Sequence, residues 1–276
     1  MRRGRASRPW RCGKQERALR IAAVGDLHCG RGTEGRLHGH FGGLAEHADI
    51  LLLCGDLTDY GLPDEARALT HELASVSSLP IVAVLGNHDY EEGHAEEVVR
   101  ILRGAGIIVL EGQSCIIGNV GFAGTKGFIG GFGTHTLGAW GESATKAIVQ
   151  ESVRETMLLE AGLARLRTDW KIVLLHYAPV SGTCEGEPPE ILPFLGNSRL
   201  EEPINRYRAS AVFHGHAHRG TLEAHTCTGI PVFNVSLPLL TRQGHAVAGA
   251  FLIDTEELTG RQRAPVPLEG AHGPPG

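Results

Sequence analysis

The chain has 276 residues, 42% of them hydrophobic and 21% charged, with 38 glycines, 14 prolines and six cysteines. It is long enough for one or two cores at about 150 residues per domain, and it contains no apolar run of about 18 residues, which excludes a membrane-spanning helix. Residues 1–20 carry a charge of +7 and the remainder −12; with aromatics at 5%, the acidic body argues against a nucleic-acid groove.

None of the six cysteines (Cys12, Cys29, Cys54, Cys115, Cys184, Cys227) forms a C-x-x-C pair. That argues against a zinc ribbon or a disulfide scaffold and for a reducing, cytoplasmic setting.

Residues 1–18 read as a flexible basic arm. They resemble the start of a secretory signal, but the apolar run that follows, Ile21–Val24, stops at Gly25-Asp26. The body, 19–259, reads as one domain, and the Pro/Gly-rich stretch 260–276 as a disordered tail.

Within the body one pattern occurs five times: a short, apolar, strand-like run ends at once in a polar cluster. Ile21–Val24 precedes Gly25-Asp26-Leu27-His28, and Ile50–Cys54 precedes Gly55-Asp56. Ile81–Leu85 precedes Gly86-Asn87-His88-Asp89, Ile172–Leu175 precedes His176, and Ala211–Phe213 precedes His214-Gly215-His216-Ala217-His218. Such runs read as buried strands. Helical spacing appears at Pro63–Ser75, His94–Arg103 and Ala144–Leu166, and two further strands are expected at Val232–Leu237 and Ala248–Ile253. Strands alternating with helices imply an α/β sheet, whose ligands lie at the carboxyl ends of the strands.

The strand ends collect Asp26, His28, Asp56, Asn87, His88, Asp89, His176, His216 and His218. Imidazole and carboxylate together suit first-row metals from Mn to Zn. The donors outnumber what one tetrahedral ion needs, whereas two ions sharing a carboxylate would use them.

The series D-x-H, G-D, G-N-H-D, H, G-H-x-H, in that order from Ile21 to about Ile253, resembles the calcineurin-like metallophosphoesterases, and the compact body their small bacterial phosphodiesterase branch. The resemblance implies two mixed β-sheets packed as a sandwich flanked by helices. It implies Asp26, His28 and His218 on one metal, Asn87, His176 and His216 on a second, and Asp56 bridging. His88 would be a proton donor beside the phosphate, oriented by Asp89. The ions would be Mn or Fe, with Zn as an option. Two divalent ions lower the pKa of a bridging water, so a hydroxide is available to attack phosphorus at neutral pH.

The expected activity is therefore hydrolysis of a small phosphodiester. Phosphomonoester hydrolysis is the near alternative; a nuclease and a non-catalytic scaffold are remoter ones. Two segments are candidates for substrate recognition, the glycine-rich 124–133 and the stretch 185–202 after His176. Lys126 and Arg199 are the expected contacts there, beside Asn87. His214 is either a partner of the metal ligands or a hydrogen-bonded strand-end histidine.

Overall fold

The computed structural model describes residues 18–30, 37 and 40–262. In chain order its elements are β1 (Arg20–Val24), α1 (Leu44–His47), β2 (Ile50–Cys54), α2 (Pro63–Glu72), β3 (Ile81–Val84), α3 (Ala95–Gly104), β4 (Ile108–Val109), β5 (Ser114–Ile117) and β6 (Val120–Gly124). There follow α4 (Ser143–Arg165), β7 (Trp170–Leu174), α5 (Leu192–Leu195), α6 (Glu201–Arg206), β8 (Ala211–His214), β9 (Glu223–His225), β10 (Pro231–Asn234), α7 (Leu237–Gln243), β11 (Phe251–Asp254) and α8 (Thr255–Arg261).

The strands form two mixed sheets. One has the order β11-β1-β2-β3-β4, parallel except for β11; the other has the order β5-β6-β7-β8-β10-β9, parallel except for its two edge strands. Every residue of β2 and β3 is buried, because this sheet is covered on both faces.

Alternation along the second sheet separates its two faces. Phe122, Ile172, Leu174, Phe213 and Phe233 share a core with Ile21, Leu52 and Val84 of the first sheet. Their neighbours Ala123, Val173, Leu175, Val212 and Val232 pack outward with Leu159 and Leu163 of α4. The period of two thus sends alternate side chains into the sandwich and under the helix. Phe233 stacks on Phe213 at 5.3 Å and tilts against Phe251 at 5.2 Å, closing the sandwich near β11.

Several boundaries differ from the sequence reading. The strand expected at Val232–Leu237 ends at Asn234, and Leu237 opens α7, whose second residue is Pro238, a position where proline's missing N–H is harmless. The strand expected from Ala248 starts at Phe251, since Ala248 (φ 45°) and Gly249 (φ 78°) make a turn. The α-helix from Pro63 ends at Glu72 and tightens into a 3-10 turn, Leu73–Val76. Gly260 and Arg261, expected in the tail, complete α8. The tail beyond 262 and the basic arm, except residue 18, lie outside the described residues. Among the described residues no helix is long and apolar enough to cross a membrane.

Candidate metal centre

The five polar clusters emerge at the carboxyl ends of adjacent strands, β1, β2 and β3 in one sheet and β7 and β8 in the other. Face-to-face packing brings the two sets together, and the Cys54 carbonyl, ending β2, lies 3.1 Å from His176 Nδ1 just after β7.

Three groups of donors form among the described residues, the third being the more open His28, Asp59 and His88. Asp26, His28 and His218 make the first; Asp56, His176 and His216 make the second, and each is tight enough to hold a metal ion. Asn87 adjoins the second, its Oδ1 at 2.9 Å from His176 Nε2. Asp56 lies between the groups: its Oδ1 is 3.4 Å from His176 Nε2 and its Oδ2 3.8 Å from His28 Nε2. His218 Nε2 is 3.1 Å from Asp26 Oδ1.

The backbone carries strain for this arrangement. Asp26 (φ 59°), His28 (φ 44°), Asp56 (φ 48°) and His216 (φ 69°) all occupy the left-handed region, which non-glycine residues enter at a cost of about 1–3 kcal/mol each. The motif glycines have a steric reason. A Cβ on Gly86 would collide with the Asp56 carboxylate and backbone, and one on Gly215 with Asp26 Oδ2.

The electrostatics suit cations. Burial pushes the Asp26 carboxyl up, but the hydrogen bond with His218 and the charge of His176 outweigh it and hold the group below its usual range. Asp56 is likewise held well below: burial opposes ionisation, and His176, with the His88 N–H donated to Oδ1 at 2.9 Å, overcomes it. Burial lowers His176, yet Asp56 raises it further, to about 9. The field that favours a proton on His176 favours a metal ion in its place. His216 is pushed down to about 4, chiefly by burial, and so is a neutral ligand. His28 Nε2 is buried with no hydrogen-bond partner, although it faces Asp56. An orphaned imidazole nitrogen beside two ionised carboxylates fits a metal site.

His88 stands beside the first group, its ring edge-on to His28 at 4.6 Å. Its Nδ1 lies 2.7 Å from the Asp59 carbonyl and 3.5 Å from Glu91 Oε2. Asp89 therefore does not orient His88. Its buried carboxylate accepts from the N–H groups of Gly86 (2.8 Å), Thr58 (2.8 Å) and Leu57 (3.2 Å) and from Thr58 Oγ1 (2.6 Å). It ties the loop after β3 to the loop carrying Asp56. Asp59, which the sequence reading passed over, supplies the carbonyl instead. A side-chain pattern does not signal a role that the backbone performs.

Other expectations divide. His214 is buried, hydrogen-bonded to Thr183 Oγ1 (2.8 Å) and pushed down by burial to about 4, so it is the structural histidine of the two alternatives. Cys29 and Cys54 both belong to the core. Tyr177 packs its ring on His216 (4.6 Å) and His176 (5.3 Å).

The two recognition segments pair with each other. Gly130 and Gly131 donate to the carbonyls of Pro193 and Gly196, both at 2.9 Å, and Asn197 Nδ2 donates to the Phe128 carbonyl at 2.6 Å. The joined wall reaches the centre where the Phe194 carbonyl meets His216 Nε2 at 3.2 Å. Arg199 does not turn to the metal ligands; its guanidinium donates to the Leu137 carbonyl at 2.6 Å, clasping the wall together. Lys126 is buried, with its ammonium over Phe128 (4.6 Å), Tyr90 (5.5 Å) and Tyr177 (5.5 Å), and donates to the Gly127 carbonyl at 3.0 Å.

Known proteins give the same picture. The chain is 25% identical over 247 residues to a probable cyclic nucleotide phosphodiesterase of Rhodococcus erythropolis, a match that covers 83% of this chain and 71% of the relative. Its fold is similar to that of TT1561 of Thermus thermophilus, with a TM-score of 0.54 and 16% identity over 88% of this chain and 96% of the other. The profile of the calcineurin-like phosphoesterases matches residues 19–220. With both sheets and the strand-end donors in place, the chain belongs to the calcineurin-like phosphoesterase family and is a phosphoric ester hydrolase.

Proposed function

We propose that this protein hydrolyses small phosphodiesters at a dinuclear metal centre. The observation that carries the reading is Asp56, whose two oxygens face the two donor groups, His176 on one side and His28 on the other. Asp26, His28 and His218 would hold one divalent ion, Asn87, His176 and His216 the other, and Asp56 would be shared. The donors suit Mn or Fe, with Zn as an alternative. Bound there, such ions would supply Lewis-acid chemistry, lowering the pKa of a water and neutralising phosphoryl charge.

The chain's own groups do the rest. With Nδ1–H donated to the Asp59 carbonyl, His88 keeps Nε2 to carry a proton to the leaving oxygen. The Asn87 carboxamide, beside His176, would also contact the substrate phosphate. The buried carboxylates hold the ions, and Asp89 holds the loops that carry Asp56 and Asn87. The preference for a diester is supported by the name of the Rhodococcus relative.

The test is hydrolysis of paired chromogenic mono- and diesters by metal-stripped protein with Mn²⁺, Fe²⁺ or Zn²⁺ restored. Faster diester turnover, dependent on metal and lost with its second equivalent of metal in Asp56→Ala, is the expected result. Faster monoester turnover would replace the diester reading, and unchanged metal content in Asp56→Ala would overturn the shared-ligand assignment.

A further inference from the structure

The two imidazoles of the second donor group are each met by a backbone carbonyl. His176 Nδ1 lies 3.1 Å from the Cys54 carbonyl, and His216 Nε2 lies 3.2 Å from that of Phe194. A metal-binding imidazole is neutral: one nitrogen gives its lone pair to the ion and the other carries the proton. A carbonyl can only accept, so it keeps the proton on the nitrogen that faces it. His176 is thereby left with Nε2, the atom that lies beside Asp56 and Asn87. By the same rule His216 is left with Nδ1. Its ring has little freedom to turn. It packs on Tyr177 at 4.6 Å and on His176 at 4.8 Å, and the His216 backbone N–H donates to Asp26 Oδ2 at 2.9 Å.

The two carbonyls differ in what holds them. Cys54 ends β2, in the middle of the core. Phe194 belongs to α5, a single turn on the segment 185–202, and is 57% exposed. Its carbonyl keeps its place only as far as that segment is seated. Ala178, two residues past His176, donates to the Leu195 carbonyl at 3.0 Å and accepts from the Asn197 N–H at 3.1 Å. Leu195 packs with Ala178 and with Ala217, the residue between His216 and His218. From the glycine-rich side, Gly131 donates to the Gly196 carbonyl at 2.9 Å, and the buried Asn197 side chain donates to the Phe128 carbonyl at 2.6 Å. Gly196 is what permits this close approach, because a Cβ there would overlap the Ala178 carbonyl oxygen. The first donor group meets the same segment at its other end, where the Arg219 N–H donates to Glu187 at 2.6 Å. A lesion at Gly196 therefore falls on the second group.

We propose that Phe194 is a positioning residue for the second metal ion: its backbone carbonyl holds the His216 proton on Nε2 and leaves Nδ1 for the ion, so the wall beside the centre sets how tightly that ion is held. The assignment rests on the dinuclear reading and adds to it a dependence of one metal site on α5 and its seat.

The first test is the histidine ring spectrum, read by long-range proton–nitrogen NMR correlation on isotope-labelled, Zn²⁺-loaded protein. The His216 signals are assigned by their absence in His216→Gln. The expected result is a protonated Nε2 and a metal-bound Nδ1, and a metal-bound Nε2 would overturn the proposal. The second test is Zn²⁺ titration of metal-stripped protein, wild type against Gly196→Ala, with folding checked by thermal melting. In Gly196→Ala the equivalent that perturbs the His176 and His216 rings is expected to bind about 10–100-fold more weakly, while the other keeps its affinity. Unchanged binding of both ions, or equal weakening of both, would sink the assignment. Should Gly196→Ala fail to fold, the wild-type ring spectrum decides alone. If the wild type takes up a single ion, the dinuclear reading fails, and the metal-free spectrum decides the role of Phe194: a proton on Nε2 supports it, and one on Nδ1 refutes it.

Discussion

His88 and Asp89 are adjacent in the chain and do different work. The His88 ring faces the cluster at His28 and is anchored through Nδ1. His88→Ala is therefore expected to keep its metal and lose about 10²–10⁴-fold in turnover of esters with poor leaving groups, and much less with p-nitrophenolate. Metal analysis beside a leaving-group series checks this; equal loss across the series would refute the proton-donor role. Asp89 instead satisfies three backbone N–H groups and a hydroxyl, all buried. In Asp89→Ala those donors lose their acceptor, at a cost of about 2–4 kcal/mol, so stability and metal content should fall together. Denaturant unfolding and metal analysis of the one variant separate it from His88→Ala.

The types of the chemical side chains were legible in the sequence because each follows a strand directly. Their partners were not. Asp59 acts through a carbonyl, Asp89 mostly through Leu57 and Thr58 on another loop, and Lys126 and Arg199 are turned aside by aromatic rings and a loop carbonyl that only folding brings near.

Among the elements, the strands that run straight into the polar clusters were the readable ones. β1, β2, β3, β7 and β8 are central, and each contains a buried, unbroken apolar run of three to five residues. β6, Val-Gly-Phe-Ala-Gly, hides behind two glycines, and its Gly124 also opens the glycine-rich segment 124–133. β4 has two residues, and β9 is the polar edge strand Glu-Ala-His, so neither shows the usual pattern. The helices α6, α7 and α8 are one or two turns long, too short for periodicity to reveal.

The two sheets hold the site by their contact, so a lesion between them tests the architecture. Phe213 is fully buried against Phe233. Phe213→Ala should cost about 3–5 kcal/mol in denaturant unfolding. A cost below about 1 kcal/mol would mean that the faces are not packed as described.

For the whole molecule, the metal centre is also a stability term. Asp26 and Asp56 are both buried, and the charge of Asp56 opposes ionisation of Asp26. A bound cation relieves that repulsion, and a ligand at a hundred times its Kd adds about 2.7 kcal/mol to the folded state. Stripped protein is thus expected to melt several degrees below protein given Mn²⁺, and Asp56→Asn to lose most of that response. An identical Tm with and without metal, measured by scanning calorimetry, would contradict a site built from these residues.

The sequence by itself determined the chemistry: apolar runs dictate buried strands, and the Asp, His and Asn residues that end them dictate metal and phosphate ligands. Those are local properties, set by neighbours in the chain. Only the tertiary structure decided which donors lie close together, which residue anchors His88, and that the two recognition segments form one wall. Each of these depends on residues distant in sequence, brought within hydrogen-bonding range when two sheets pack face to face.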